Sequence, residues 1–323
     1  MKRIGITLGD PAGVGPEILV RCWRDGQLGG IIPVIYGERS ALKKVEDELG
    51  WAVDCRLRSS ATEAREGVLN WIDTGILSVG EIPTGEINAG CGAAALRAID
   101  LAGEAALAGE IEAVTTLPVN KEACRMVDPD FQGHTERFAG MCGCEDFIML
   151  FASPRMIVSL VTIHVSLRQA IESLTVERIV KTARLTAPEV LRLRGSANLV
   201  IPGLNPHAGE GGAFGREEIE TIIPAVEQLK AEGYDVEGPF SPDTLFGKLL
   251  DGTYDAAVCL YHDQGLIPMK LDGFAEAVNI TAGLPIVRTS VDHGTAFDIA
   301  YTGKASGENF LAAVTMAQLL AEN

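Results

Sequence analysis

Ile4-Gly5-Ile6-Thr7-Leu8 runs directly into Gly9-Asp10-Pro11-Ala12-Gly13-Val14-Gly15-Pro16-Glu17, and the fold reading turns on this stretch. A short apolar run with β-branched residues breaks into glycines, and Pro16 then suits the first turn of a helix. The expected order is strand, tight turn, helix. The same alternation continues along the chain. Strand candidates are 4–8, 32–36, 113–116, 147–151, 156–163, 199–202, 256–261 and 278–280, interleaved with helical stretches at 93–107, 176–193, 217–231 and 308–321. Alternation of this kind predicts an α/β fold. In the third helical stretch Ile219, Ile222, Ile223, Val226 and Leu229 form one apolar face, and Pro224 is expected to bend it. The glycine spacing after the first strand is not G-x-G-x-x-G, and no acidic residue stands at the expected end of a second strand, so the dinucleotide fingerprint fails. The loop either lines an active site or is only a tight turn.

The 323 residues are 47% apolar, enough for one large or two moderate cores, and two domains are the expectation. Lys plus Arg number 27 against 44 Asp plus Glu, a formal net charge of −17 that repels phosphate backbones and anionic membranes. Nucleic acid and membrane partners are therefore not expected. A small phosphorylated ligand remains compatible, because salt screens distant surface charge beyond about 8 Å. The seven cysteines are scattered and odd in number, and Cys142-Gly143-Cys144 lacks the gap of the usual redox motif. The amino terminus carries too short an apolar run for a secretory signal, so a cytoplasmic protein is expected.

The five histidines fall in compact polar motifs where apolar runs break: Gly133-His134-Thr135-Glu136, Thr162-Ile163-His164, Asn205-Pro206-His207-Ala208-Gly209-Glu210, Tyr261-His262-Asp263-Gln264-Gly265 and Asp292-His293-Gly294-Thr295. Such breaks are where an α/β sheet presents its loops. His164, His207 and His262 each follow a strand candidate, and three neutral imidazoles suit a divalent metal with an open position. Zinc is the default from ligand type, and magnesium would need carboxylates. The alternative is that each histidine only bonds its own loop. Asp263 beside His262 can steady the imidazole or touch substrate. Lys270, Asn279 and Arg288 recur every nine residues, each interrupting or ending an apolar stretch, where a cation calls for a carboxylate or phosphate. His134 and Thr135 offer imidazole and hydroxyl donors that can also hold phosphate, unless Thr135 merely caps a helix from Glu136.

These motifs, with NPHAGEGG at 205–212, YHDQG at 261–265, VNITAGLPIVRTSVDHGTA at 278–296 and Pro118-Val119-Asn120-Lys121, resemble the 4-hydroxythreonine-4-phosphate dehydrogenase family from end to end. The resemblance implies a two-domain fold similar to the isocitrate and isopropylmalate dehydrogenases, with the active site in the interdomain cleft and NAD, or NADP, bound without a Rossmann fingerprint. It places one α/β domain at 1–125 together with 270–323. The other, at 126–269, would carry the metal-site and dimer contacts. It also implies a homodimer with a metal site shared between subunits, His164, His207 and His262 holding zinc, magnesium, cobalt or manganese. Substrate would be bound by His134, Thr135, Lys270, Asn279 and Arg288, with Asp243 and Asp263 as further active-site candidates. Residues alone would assign Asp243, in Ser241-Pro242-Asp243-Thr244, to a helix cap. Lys270 is the candidate for proton handling or electrostatic support.

The implied reaction is metal-assisted oxidation of the C3 hydroxyl of a 4-phosphorylated four-carbon acid by NAD, followed by decarboxylation of the β-keto acid. Two activities share these residues. The 4-hydroxythreonine-4-phosphate type serves pyridoxal phosphate biosynthesis. The alternative acts on D-threonate or D-erythronate 4-phosphate in sugar-acid catabolism and gives dihydroxyacetone phosphate. Asn120-Lys121-Glu122-Ala123 and the tail Ala296-Phe297-Asp298-Ile299-Ala300 with Thr302-Gly303-Lys304 look closer to the catabolic branch. The terephthalate dihydrodiol dehydrogenases fit less well, since the chain keeps GHTE and Lys270, Asn279 and Arg288. From other classes, a zinc hydrolase or a non-catalytic metal-binding or ligand-sensing protein would also use three histidines.

Overall fold

The computed structural model describes residues 1–273 and 275–322; Phe274 and Asn323 lie outside the described residues. In chain order the elements are β1 (Arg3–Thr7), α1 (Gly15–Arg24), β2 (Ile32–Gly37), α2 (Ser40–Leu49), β3 (Cys55–Leu57), β4 (Leu69–Asp73), α3 (Ala89–Leu107), β5 (Ala113–Thr116), α4 (Lys121–Arg125) and α5 (His134–Cys142). They continue with β6 (Ile148–Ala152), β7 (Ile157–Leu160), α6 (Leu167–Glu172), α7 (Val176–Arg194), β8 (Leu199–Pro202), α8 (Ile223–Ala231), β9 (Val236–Phe240), α9 (Pro242–Leu250), β10 (Ala256–Cys259), α10 (His262–Gly273), β11 (Val278–Ala282), β12 (Arg288–Ser290) and α11 (Glu308–Glu322). The chain forms two compact units, Met1–Glu145 with Leu284–Asn323, and Asp146–Gly283. Residues 126–145 thus belong to the first unit, where α5 lies against α3. Residues 270–283 belong to the second, where β11 pairs with β6.

In the first unit the strands run β3-β4-β2-β1-β5-β12, all parallel. Both faces are covered, as a parallel sheet requires. Ile4, Ile6, Leu19 and Phe310 belong to one core, and Val34, Tyr36, Ile99, Val114 and Phe138 to the other. The chain leaves β1 toward β2 and later returns to β5 on its opposite side, so the loops after β1 and β5 flank a topological switch point. Two glycines allow close backbone approaches here, Gly9 between the two loops and Gly15 within the turn after β1. A Cβ on Gly9, whose φ is 76°, would lie 2.3 Å from the Pro118 carbonyl oxygen, and one on Gly15 would lie 2.2 Å from that of Leu8.

In the second unit the order is β11-β6-β7-β10-β8-β9. β6 is antiparallel to β11 and β7, and the remaining neighbours are parallel. Phe151, Val158, Val200, Leu245, Leu266 and Met269 belong to its core.

The α/β fold expected from the alternation is the one observed, and each expected strand is present. Four more were not anticipated. β3 is short and largely exposed, β9 contains Gly238-Pro239, β12 is Arg-Thr-Ser, and β4 lacked a clear apolar run. The 217–231 stretch also departs from expectation. A π-helical turn spans Glu218–Ile222 and runs without a break into α8, so Pro224 lies inside a continuous helix just past the wider turn, the kind of place where a helix accommodates a local departure. The wider turn breaks the expected apolar face, leaving Ile219 and Ile223 exposed while Ile222, Val226 and Leu229 are buried.

Candidate active site

In the first unit, Thr7, Thr116 and Ser290 are register partners across β1, β5 and β12, forming a row of hydroxyls at the strands' carboxyl ends. Arg288 lies two residues before Ser290 on the same face, buried to 2% exposure. Its Nη2 donates to Thr116 Oγ1 at 2.8 Å and its Nη1 to Thr135 Oγ1 at 3.2 Å. Burial lowers the guanidinium to about 10, partly offset by the charge of Glu136. Thr135 is therefore not a cap. The α5 N-cap is Gly133, with no side-chain cap bond, leaving the helix's first N–H groups available to an anion.

His134 begins that helix. Burial, reinforced by the charges of Arg288 and Lys121, pushes its ring well below the usual histidine range, so the imidazole is neutral. Its Nε2 is buried without a hydrogen-bond partner in the protein. Lys121 sits close by, with Nζ 3.4 Å from where a Gly133 Cβ would stand. This groups two cations, a neutral imidazole and hydroxyl donors around a free helix start, the chemistry of an anion pocket. Sequence reading found His134, Thr135 and Arg288 but missed Thr116 and Lys121. Thr116 emerges only from strand register, and Lys121 was visible only as part of a resembling segment.

Asp10, in the loop after β1, is fully buried. Its Oδ1 accepts from the Ala12 N–H at 2.9 Å while Oδ2 has no protein partner. Burial raises it to about 6 against the lowering effect of backbone hydrogen bonds from Ala12 and Asn120. One sequence expectation is corrected here. Glu38 does stand directly after β2, yet its Oε2 accepts from Thr74 Oγ1 at 2.9 Å and from the backbone of Ile76 and Leu77 at 2.8 and 3.0 Å. Its carboxylate is occupied by its own loops and is not presented to a ribose.

In the second unit, β7, β10 and β8 are adjacent parallel strands, and His164, His262 and His207 follow their respective carboxyl ends. The three loops are stitched together. Thr162 Oγ1 donates to the Leu260 carbonyl at 2.9 Å, Leu260 N–H to Gln264 Oε1 at 2.8 Å, and Gln264 Nε2 to the Gly203 carbonyl at 2.8 Å. The rings of His164 and His262 have centroids 5.8 Å apart and line a cavity of about 330 Å³ with Tyr261 and Asp263. Asp263 Oδ1 is 2.7 Å from His262 Nδ1, so Nδ1 is engaged and Nε2 is the ring nitrogen left for a ligand. His207 is exposed on a run in the left-handed region, with φ 55° at His207, 51° at Ala208 and 42° at Glu210, an arrangement costing roughly 1–2 kcal/mol per non-glycine residue. Among the described residues no group of three His, Cys, Asp or Glu side chains is arranged for a metal ion.

Lys270 lies in the last turn of α10, and Asn279 lies on β11, nearly buried, with Oδ1 lacking a protein partner. Asp243 is exposed in the first turn of α9 and accepts from Ser241 Oγ at 2.6 Å. The N-cap there is Ser241.

Comparison with known proteins decides the family. Residues 31–317 match the family described as pyridoxal phosphate biosynthetic protein PdxA. The chain belongs to the PdxA family. A D-threonate 4-phosphate dehydrogenase of Salmonella typhimurium is 40% identical over 325 residues, covering 99% of both chains. A 4-hydroxythreonine-4-phosphate dehydrogenase of Trichlorobacter lovleyi is 41% identical over 327 residues, covering 99% of this chain and 97% of its own. The crystal structure of a 4-hydroxythreonine-4-phosphate dehydrogenase from Klebsiella pneumoniae is similar with a TM-score of 0.91 and 39% identity, covering 99% of this chain and 100% of that one. A terephthalate 1,2-cis-dihydrodiol dehydrogenase from Burkholderia xenovorans is more distant, at 28% identity and a TM-score of 0.68. No helix among the described residues is long and apolar enough to cross a membrane.

Proposed function

We propose that this chain is an NAD-dependent oxidoreductase that oxidises the C3 hydroxyl of a 4-phosphorylated four-carbon 3-hydroxy acid, as a 4-hydroxythreonine-4-phosphate dehydrogenase. The observation that carries the reading is the buried Arg288 guanidinium, held by Thr116 and Thr135 beside the uncapped start of α5. It is a preorganised anion site in a chain whose full-length relatives are named for phosphorylated substrates. Hydrolase and non-catalytic readings lose ground because those relatives are named dehydrogenases.

Arg288 orients the anionic group through its planar fork, Thr135 adds a hydroxyl, and neutral His134 offers a donor without a competing charge. Asn279 supplies an unused amide oxygen to a substrate hydroxyl or amine. Lys270 takes or returns the proton of the reacting hydroxyl, with Asp243 and Asp263 as further candidates for proton handling. When bound, a nicotinamide cofactor, NAD or NADP, would supply the hydride acceptor. The β-keto acid formed then loses CO₂.

The donor chemistry fits a divalent ion. His164 and His262 present neighbouring imidazoles, and Asp263 fixes the ring of His262. His207 would complete the set across a homodimer, the three ligands being drawn from two copies of the chain. When bound, zinc or a similar ion (magnesium, cobalt or manganese) would supply Lewis acidity at the substrate oxygen.

A second reading is favoured by the 40%-identical, full-length relative named for D-threonate 4-phosphate. It keeps the same chemistry with a hydroxyl at C2 in place of the amine. Following NADH at 340 nm with zinc and each phosphorylated acid in turn separates the two. Selective turnover of 4-phosphohydroxy-L-threonine supports the first, and selective turnover of D-threonate or D-erythronate 4-phosphate the second. No nicotinamide reduction with any of them overturns both.

A further inference from the structure

His207 is presented by five successive residues in the left-handed region, from His207 to Gly211. Three of them are not glycine, so local preference alone does not hold this turn. What holds it is a buried acid. Glu218, 1% exposed, opens the π-helical turn before α8 and reaches back under the loop. Its Oε1 accepts from the backbone N–H of Leu204 and Asn205, both at 2.7 Å, and its Oε2 from Asn205 Nδ2 at 2.9 Å. Glu217 accepts from the same Asn205 amide at 2.7 Å. The fit is tight: a Cβ on Gly209 would lie 2.5 Å from Glu218 Oε2. A buried carboxylate with three donors, on the π turn that next follows the loop it supports, is costly unless the loop's geometry matters.

We propose that Glu218 is the positioning residue for His207, fixing the left-handed turn so that the imidazole is preorganised for a divalent metal. Glu218 does not touch the ion. Its carboxylate shapes the 204–211 backbone, and the backbone aims the ring. The inference rests on the reading of His207 as a metal ligand.

The test measures zinc affinity of the metal-stripped full-length protein by competition with a chelating dye, with thermal melting and oligomeric state followed alongside. Glu218→Ala is expected to bind zinc at least tenfold more weakly while still melting cooperatively. Glu218→Gln keeps an acceptor for the two backbone N–H groups and is expected to recover most of that loss, which general destabilisation would not predict. Wild-type zinc affinity in Glu218→Ala overturns the proposal. Should Glu218→Ala fail to fold, Gly209→Ala decides: weaker zinc binding supports the proposal, and unchanged binding overturns it. His207→Ala separates the two layers. If it binds zinc normally, the ligand reading falls and the inference with it; if it loses zinc while Glu218→Ala does not, only the inference falls.

Discussion

Arg288 donates to Thr116 at 2.8 Å across the parallel β5–β12 pair, so a cation on one strand is aimed by a hydroxyl on the next. Both side chains are buried, and Arg288 also holds Thr135 at the start of α5. Replacing Arg288 by Lys keeps the charge and loses the fork. Hydrogen bonds to a charged group contribute about 1.5–3 kcal/mol, so KM for the phosphorylated substrate should rise roughly 10- to 100-fold. Steady-state kinetics would count against this role if KM stayed within about threefold of wild type.

Asp10 gives a pH-dependent prediction. Burial raises it from an ordinary 3.8 to about 6, so the folded state holds the proton more tightly than the unfolded state. The stabilisation is complete below about 3.8 and disappears as the pH rises through about 6. Above that, the ionised carboxylate costs roughly 3 kcal/mol. Asp10→Asn keeps an oxygen for the Ala12 N–H and should raise Tm by several degrees at pH 8, with the gain shrinking toward pH 4. An equal gain at both pH values would contradict the assignment.

His134 has the opposite sign. Its folded state favours the neutral ring, so its stabilisation is present above the unfolded value of about 6.5 and falls away as the solution is acidified. Wild-type protein should lose stability in urea between pH 6.5 and 5, and His134→Asn should lose less of it. Parallel pH dependence of the two proteins would refute this.

Gln264 joins the His262 and His207 loops by serving the Leu260 N–H and the Gly203 carbonyl. Gln264→Leu strands both buried backbone groups, at about 1–3 kcal/mol each. The urea midpoint should fall accordingly; a shift under about 0.5 kcal/mol would mean the loops are held by other contacts.

Asp263 steadies His262 through Nδ1. Asp263→Asn should weaken zinc binding roughly 10- to 100-fold, and stripping the metal from wild-type protein should abolish NADH formation. Turnover that survives exhaustive chelation would exclude a metal-dependent reaction.

Much of this was legible in the chain. Apolar runs of four or five residues running into Gly or Pro marked β1, β2 and β8, because strands buried on both faces read as continuous apolar runs. β12 was not legible, since Arg288-Thr289-Ser290 is polar and becomes a strand only by pairing with β5. The five histidines stood out because an imidazole at the end of an apolar run is rarely a packing choice. Glu38 was overlooked because its place at the end of β2 depends on where that strand stops.

The sequence by itself determined the alternating α/β order, the placement of His164, His207 and His262 after strands, and the polar motifs holding His134, Thr135, Lys270, Asn279 and Arg288. These follow from local periodicity and from residue type. Only tertiary structure decided that Thr116 and Lys121 join Arg288 and His134, that burial raises the Asp10 carboxyl, and that Glu218 underlies the His207 turn. Each of those depends on strand register, burial or a contact between distant residues, and such quantities exist only once the backbone has closed on itself.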